Sequence, residues 1–78
     1  LYLRETKMTE ERKDFFRKLM RSANDSKERR AIVKMCETLE EVEFIQKTYL
    51  SFPIDNLPDY YLALDCLIRK EQLTLNAH

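Results

Sequence analysis

The stretch PDYYLALDCLIRKEQL, residues 58–73, decides the fold of this 78-residue chain. Asn56 just before it is a typical helix N-cap, and Pro58 fits the first helical turn, because the N–H it lacks would have no partner there. Large apolar residues then recur at helical spacing on two nearly opposite faces. One face carries Tyr60, Leu64, Leu67 and Ile68, and the other carries Leu62, Cys66 and Leu73. The stretch therefore predicts a helix that is apolar almost all round.

Such a helix either lies at the centre of a core or packs on a partner. Both alternatives remain open at the level of sequence. In the first, three neighbouring helices surround it, and Tyr60 and Tyr61 lie in the core with their hydroxyls at its rim. In the second, the face formed by Leu62, Cys66 and Leu73 is an interface for another helix or peptide.

Three shorter helices are predicted before this one, each behind a residue that can cap it. Thr9, Asp25 and Thr38 are the capping residues, and acidic side chains follow each within the first turn. Pro53 ends the third helix. The predicted helices span approximately residues 9–23, 26–37, 39–51 and 57–73, and the break between the second and third is the least certain boundary. The fold class is all-α, a compact bundle of four short helices in one domain, residues 1–78. Because the chain begins at Leu1, we expect it to be cut from a longer protein.

The absence of glycine excludes several classes of function. Phosphate-binding loops, dinucleotide-binding turns and EF-hand loops all need glycine for positive φ or for close approach to a ligand. Two cysteines and the terminal His78 are too few for a structural zinc site. No histidine is placed to activate a cysteine or serine nucleophile. We therefore expect no catalytic activity, no metal, no cofactor and no small-molecule substrate.

The zero net charge hides an uneven distribution. Residues 1–36 hold eleven Lys and Arg against six Asp and Glu, whereas residues 37–78 hold three against eight. The basic residues on the polar sides of the first two helices are Arg17, Lys18, Arg21, Lys27, Arg30 and Lys34. They form either a basic surface for nucleic acid or solvated faces that pair weakly with the acidic half. The second interpretation is favoured.

Phe44 lies off the apolar stripe of the third helix, among Glu40, Glu43 and Lys47. It is either covered by another helix or exposed as an anchor for a partner. Together with Leu62, Cys66 and Leu73, it completes the predicted partner-binding set.

The leading hypothesis is a protein–protein interaction or assembly module, such as part of an adaptor or scaffold. The partner is a helix, a peptide or a second copy of the chain. A nucleic-acid-binding helical domain is the alternative. No apolar run is long enough to span a membrane, and two cysteines inside apolar stretches favour a reduced, intracellular protein of the cytoplasm or nucleus.

Overall fold

The computed structural model describes residues 8–76, which form four helices and no strand. The helices are α1 (Glu10–Ser22), α2 (Ser26–Lys34), α3 (Leu39–Tyr49) and α4 (Leu57–Asn76). The prediction of an all-α bundle of four helices is confirmed. The terminal His78 lies outside the described residues.

Each helix begins where a side-chain oxygen accepts a hydrogen bond from a backbone N–H three residues later. These caps are Thr9 at 3.1 Å, Asp25 at 2.9 Å, Thr38 at 3.2 Å and Asn56 at 2.8 Å. All four were predicted, because a cap depends only on local sequence. Two helix ends differ most from the prediction. Helix α2 stops at Lys34 rather than near residue 37, and α4 continues to Asn76.

The core lies between α4 and the other helices. Its buried side chains are Phe16, Met20, Ile32, Val33, Cys36, Val42, Ile45, Leu50, Leu62 and Cys66. Helix α4 packs mainly on α2 and α3, and α1 packs on the same two helices. Along its length α4 therefore has two main neighbours rather than three, so one of its sides is left uncovered.

Arg69 attaches α4 to the end of α2. Its Nε and Nη2 donate to the backbone carbonyl oxygen of Cys36 at 2.9 and 2.6 Å. That carbonyl belongs to the turn after α2, where the helix has no further backbone N–H to bond it. The guanidinium therefore supplies the donors. Because Arg69 lies on the side of α4 that faces the end of α2, this contact helps to fix the rotation of α4 about its own axis.

Within residues 8–76, no helix is both long and apolar enough to cross a lipid bilayer.

Candidate functional site: the outer face of α4

The side of α4 turned away from the core is lined by seven large apolar residues, here called the outer face. They are Leu57, Tyr60, Tyr61, Leu64, Leu67, Ile68 and Leu75. Their exposed fractions run from 37 % at Leu64 to 66 % at Leu75. At 3.6 residues per turn they fall within an arc of about 120°. Helix α4 thus carries an exposed apolar stripe that runs along its length and contains one charged position, Glu71.

The opposite side of α4 belongs to the core. Leu62 is 2 % exposed, Cys66 is fully buried, and Leu73 is half-buried against the core. The prediction that these three residues form an accessible docking face is therefore wrong. Since α2 and α3 pack on this side, the face that was predicted to dock a partner is buried, and the opposite face is exposed. Tyr60 and Tyr61, predicted to lie in the core, are on the outer face instead.

Positive charge borders the outer face on the side next to α2. The Arg30 Nε donates to Asp65 Oδ2 at 2.6 Å, and the Arg30 guanidinium carbon lies 5.4 Å from the centre of the Tyr61 ring. Further along, Lys34 and Arg69 line a shallow depression together with Ile68. The border therefore carries three cations from two helices, of which only Arg30 is held by a carboxylate among the described residues.

Glu71 is the charged residue within the arc of the outer face. It is exposed and forms no ion pair or hydrogen bond through its side chain among residues 8–76. At the other end of the face, the rings of Tyr60 and Tyr61 meet edge to face, 5.9 Å between centres. Neither tyrosine hydroxyl has a hydrogen-bond partner within the described part of the chain. As far as residues 8–76 are concerned, the face thus has an acceptor without a partner near one end and two donors without partners near the other.

Phe44 does not join the outer face. It is half-buried against the core, and the Arg17 guanidinium carbon lies 5.5 Å from its ring centre. It borders a shallow depression with residues that include Met8 and Lys13. Phe44 is thus partly covered between α3 and α1. It is neither fully buried by another helix nor fully exposed as an anchor for a partner.

The predicted basic residues are divided between ion pairs and free surface positions. Arg17 pairs with Asp14 at 2.7 Å, and Arg30 pairs with Asp65. The other four basic side chains are exposed, and they are Lys18, Arg21, Lys27 and Lys34. The pairing of Arg17 and Arg30 lowers the net positive charge that α1 and α2 present.

The two cysteines are free and fully buried in the core. Burial raises the pKa of the Cys36 thiol to about 12 and the pKa of the Cys66 thiol to about 11, because a thiolate loses its hydration there. Both side chains therefore remain neutral thiols at physiological pH. The thiolate is the reactive form, so neither cysteine is placed to act as a nucleophile.

This burial predicts slow thiol chemistry in the folded chain. At pH 8 we expect alkylation of both cysteines to be at least about a hundred-fold slower in buffer than in denaturant, because the thiolate fraction is small and access is blocked. Mass spectrometry after timed quenching measures both rates. Equal rates in buffer and denaturant would contradict the burial of Cys36 and Cys66.

No metal-binding group of three or more His, Cys, Asp or Glu side chains occurs in residues 8–76. Comparisons with protein-family models, with curated proteins and with solved structures give no match.

The prediction missed Tyr61, Leu57 and Leu75 as parts of the exposed face. Leu57 and Leu75 lie at the two ends of α4, and the predicted helix ended before Leu75. A usable signal for Leu75 was its spacing, since it lies seven residues after Ile68 and so continues the same side of the helix.

Proposed function

We propose that this chain is a protein-interaction domain whose outer α4 face docks an amphipathic helix. The observation that carries the proposal is the exposed apolar stripe on a helix whose other face is already buried. Contiguous apolar patches larger than a few hundred Å² are uncommon on monomers and mark binding surfaces. Burying one Leu or Ile side chain contributes about 1.5–3 kcal/mol. Five Leu and Ile side chains, together with the two tyrosine rings, supply a driving force without any catalytic group.

The composition of the face supports recognition of a helix in particular. Its residues recur at spacings of three and four, which is how one helix lays ridges into the grooves of another. Tyr60 and Tyr61 are of the type that contributes most to interface energies, since a large ring is buried while the hydroxyl finds a partner. The cations bordering Tyr61 and Ile68 would favour a partner with acidic flanks.

A non-enzymatic role inside the cell fits the same features. The two cysteines are buried free thiols, as in proteins of reducing compartments. As a docking domain of this kind, the chain would serve an adaptor, scaffold or self-assembling protein.

Photo-crosslinking tests the proposal in the cells that produce the protein. Benzoylphenylalanine replaces Leu64 in one variant and Lys27 in the other, because Lys27 is exposed on α2 and lies off the outer face. We expect a discrete protein adduct from position 64, and at least about tenfold less from position 27. Adding Leu67→Glu and Ile68→Glu to the position-64 variant should remove the adduct, with circular dichroism confirming the fold. Equal yields at positions 64 and 27, or an adduct that survives both glutamates, would overturn the proposal.

Salt dependence separates apolar docking from the nucleic-acid alternative. Raising the salt concentration from 50 to 200 mM should change the docking affinity by less than about threefold, because apolar burial is not screened. A protein making six to ten phosphate contacts would lose roughly 10³–10⁵ in affinity over the same range. Titration of a labelled duplex against wild type and Lys27→Glu/Lys34→Glu checks the alternative directly. Binding that is tight at low salt and lost in this variant would favour nucleic acid.

A further inference from the structure

We infer that the outer face of α4 pairs with the outer face of a second copy in antiparallel orientation. The inference rests on the proposed docking role and names its occupant. Two features of α4 support this pairing, namely the spacing of the residues of the face and the positions of Glu71, Tyr60 and Tyr61.

Four of the apolar residues of the outer face form two pairs that are symmetric about the level of Cys66. Leu64 and Ile68 lie two residues on either side of that level, and Leu57 and Leu75 lie nine on either side. When two antiparallel copies meet with their Cys66 levels aligned, Leu64 of one faces Ile68 of the other. Leu57 likewise faces Leu75 at both ends. The stripe therefore buries apolar residues against apolar residues at its middle and at both ends.

The polar groups of the face complement one another in the same arrangement. Glu71 and Tyr61 lie five residues on either side of the same level, and Tyr60 is one residue further. The Glu71 carboxylate of one copy therefore faces the unpaired tyrosine hydroxyls of the other, which can donate hydrogen bonds to it. The Arg30 guanidinium, which is paired with Asp65, lies beside Tyr61 at that end.

Glu71 is also the residue that disfavours parallel pairing of two copies. It would place Glu71 against Glu71 in a partly desolvated interface, where two like charges repel and neither has a donor. The tyrosine hydroxyls would then meet each other at the opposite end. The position of Glu71 thus selects the antiparallel orientation, as a single polar residue in an apolar seam does in coiled coils.

Site-directed disulfides test the orientation. Leu57→Cys chains and ¹⁵N-labelled Leu75→Cys chains are oxidised separately and as a mixture, with the wild-type chain as the control for Cys36 and Cys66. Two copies of residue 57 would lie about 27 Å apart in the antiparallel dimer, since eighteen residues rise 1.5 Å each. We expect a mixed-mass disulfide dimer from the mixture, and at least about tenfold less dimer from either variant alone. A disulfide dimer from Leu57→Cys alone would establish parallel pairing and overturn the inference.

A charge reversal supplies an independent readout. Glu71→Lys should weaken dimerisation at least about tenfold, because it removes the acceptor for the tyrosine hydroxyls and adds a second cation near Arg30. Thr74→Lys is the matched control, since it lies on the next turn outside the arc, and it should change the dimerisation constant less than about threefold. An unchanged constant for Glu71→Lys would contradict the proposed pairing.

The inference and the proposed function fail in different ways. A chain that remains monomeric at every concentration shows that a second copy is the wrong occupant and overturns the inference. The docking role is then decided by the Leu64 crosslink in cells, where the adduct would contain a different protein.

Discussion

Leu62→Asp is expected to unfold the chain at room temperature, whereas Leu64→Asp leaves it folded. The two leucines are two residues apart on α4, but Leu62 is 2 % exposed and Leu64 is 37 % exposed. Replacing a buried leucine by alanine alone costs about 2–5 kcal/mol, and aspartate adds an unpaired charge in the core. A core of this size rarely supplies more than about 3–5 kcal/mol of net stability.

Far-UV circular dichroism and urea unfolding measure both leucine variants. For Leu64→Asp we expect the helical signal of wild type and a change in unfolding free energy below about 1 kcal/mol. If Leu64→Asp unfolds while Leu62→Asp does not, the two faces of α4 have been assigned the wrong way round. That outcome would remove the basis of the docking proposal.

Glu41→Ala is expected to lower the free energy of unfolding by about 2–3 kcal/mol, although the residue is charged and far from the outer face. Glu41 is 6 % exposed. Its Oε1 accepts from the backbone N–H of Glu37 at 2.8 Å, and its Oε2 accepts from Arg12 Nε at 2.8 Å. The Glu41 backbone N–H donates to the Thr38 hydroxyl at 3.2 Å, so the two residues form a variant of the capping box at the start of α3, in which the carboxylate bonds the N–H of Glu37 rather than that of Thr38. Truncation leaves these donors without their acceptor, and hydrogen bonds to charged groups are worth about 1.5–3 kcal/mol each.

Glu43→Ala is the matched control for Glu41→Ala. Glu43 is exposed and only approaches Lys70 at 3.7 Å, so its removal should change stability by less than about 0.5 kcal/mol. Urea unfolding of both variants gives the comparison. Similar small losses in the two would show that the capping box and its pair with Arg12 do not hold α3 in place. Neither variant should change association through the outer face.

The local features of the fold could be predicted from the sequence. Thr9, Asp25, Thr38 and Asn56 begin helices because their side chains reach a backbone N–H three residues away, and this needs no knowledge of the rest of the chain. The less certain break between α2 and α3 is confirmed for the same reason. The end of α2 was placed too late because neither glycine nor proline follows Lys34 there.

The orientation of α4 about its axis could not be predicted. Both of its faces are apolar, so periodicity identifies two candidates and does not rank them. Tertiary contacts decide, since Leu62 and Cys66 enter the space between α2 and α3 while Arg69 bonds the Cys36 carbonyl beyond α2. The predicted docking residues Leu62 and Cys66 therefore lie in the core, whereas the other apolar face predicted for α4 is exposed.

The solution mass of the purified chain across a concentration series tests the central claim most directly. Light scattering on wild type should show the mass rising from one chain to two as concentration increases. The Leu64→Glu/Ile68→Glu variant should keep the mass of one chain throughout, with an unchanged circular dichroism spectrum. A wild type that keeps the mass of one chain at every concentration, or a variant that associates as strongly as wild type, would contradict the pairing of two copies through the outer face of α4.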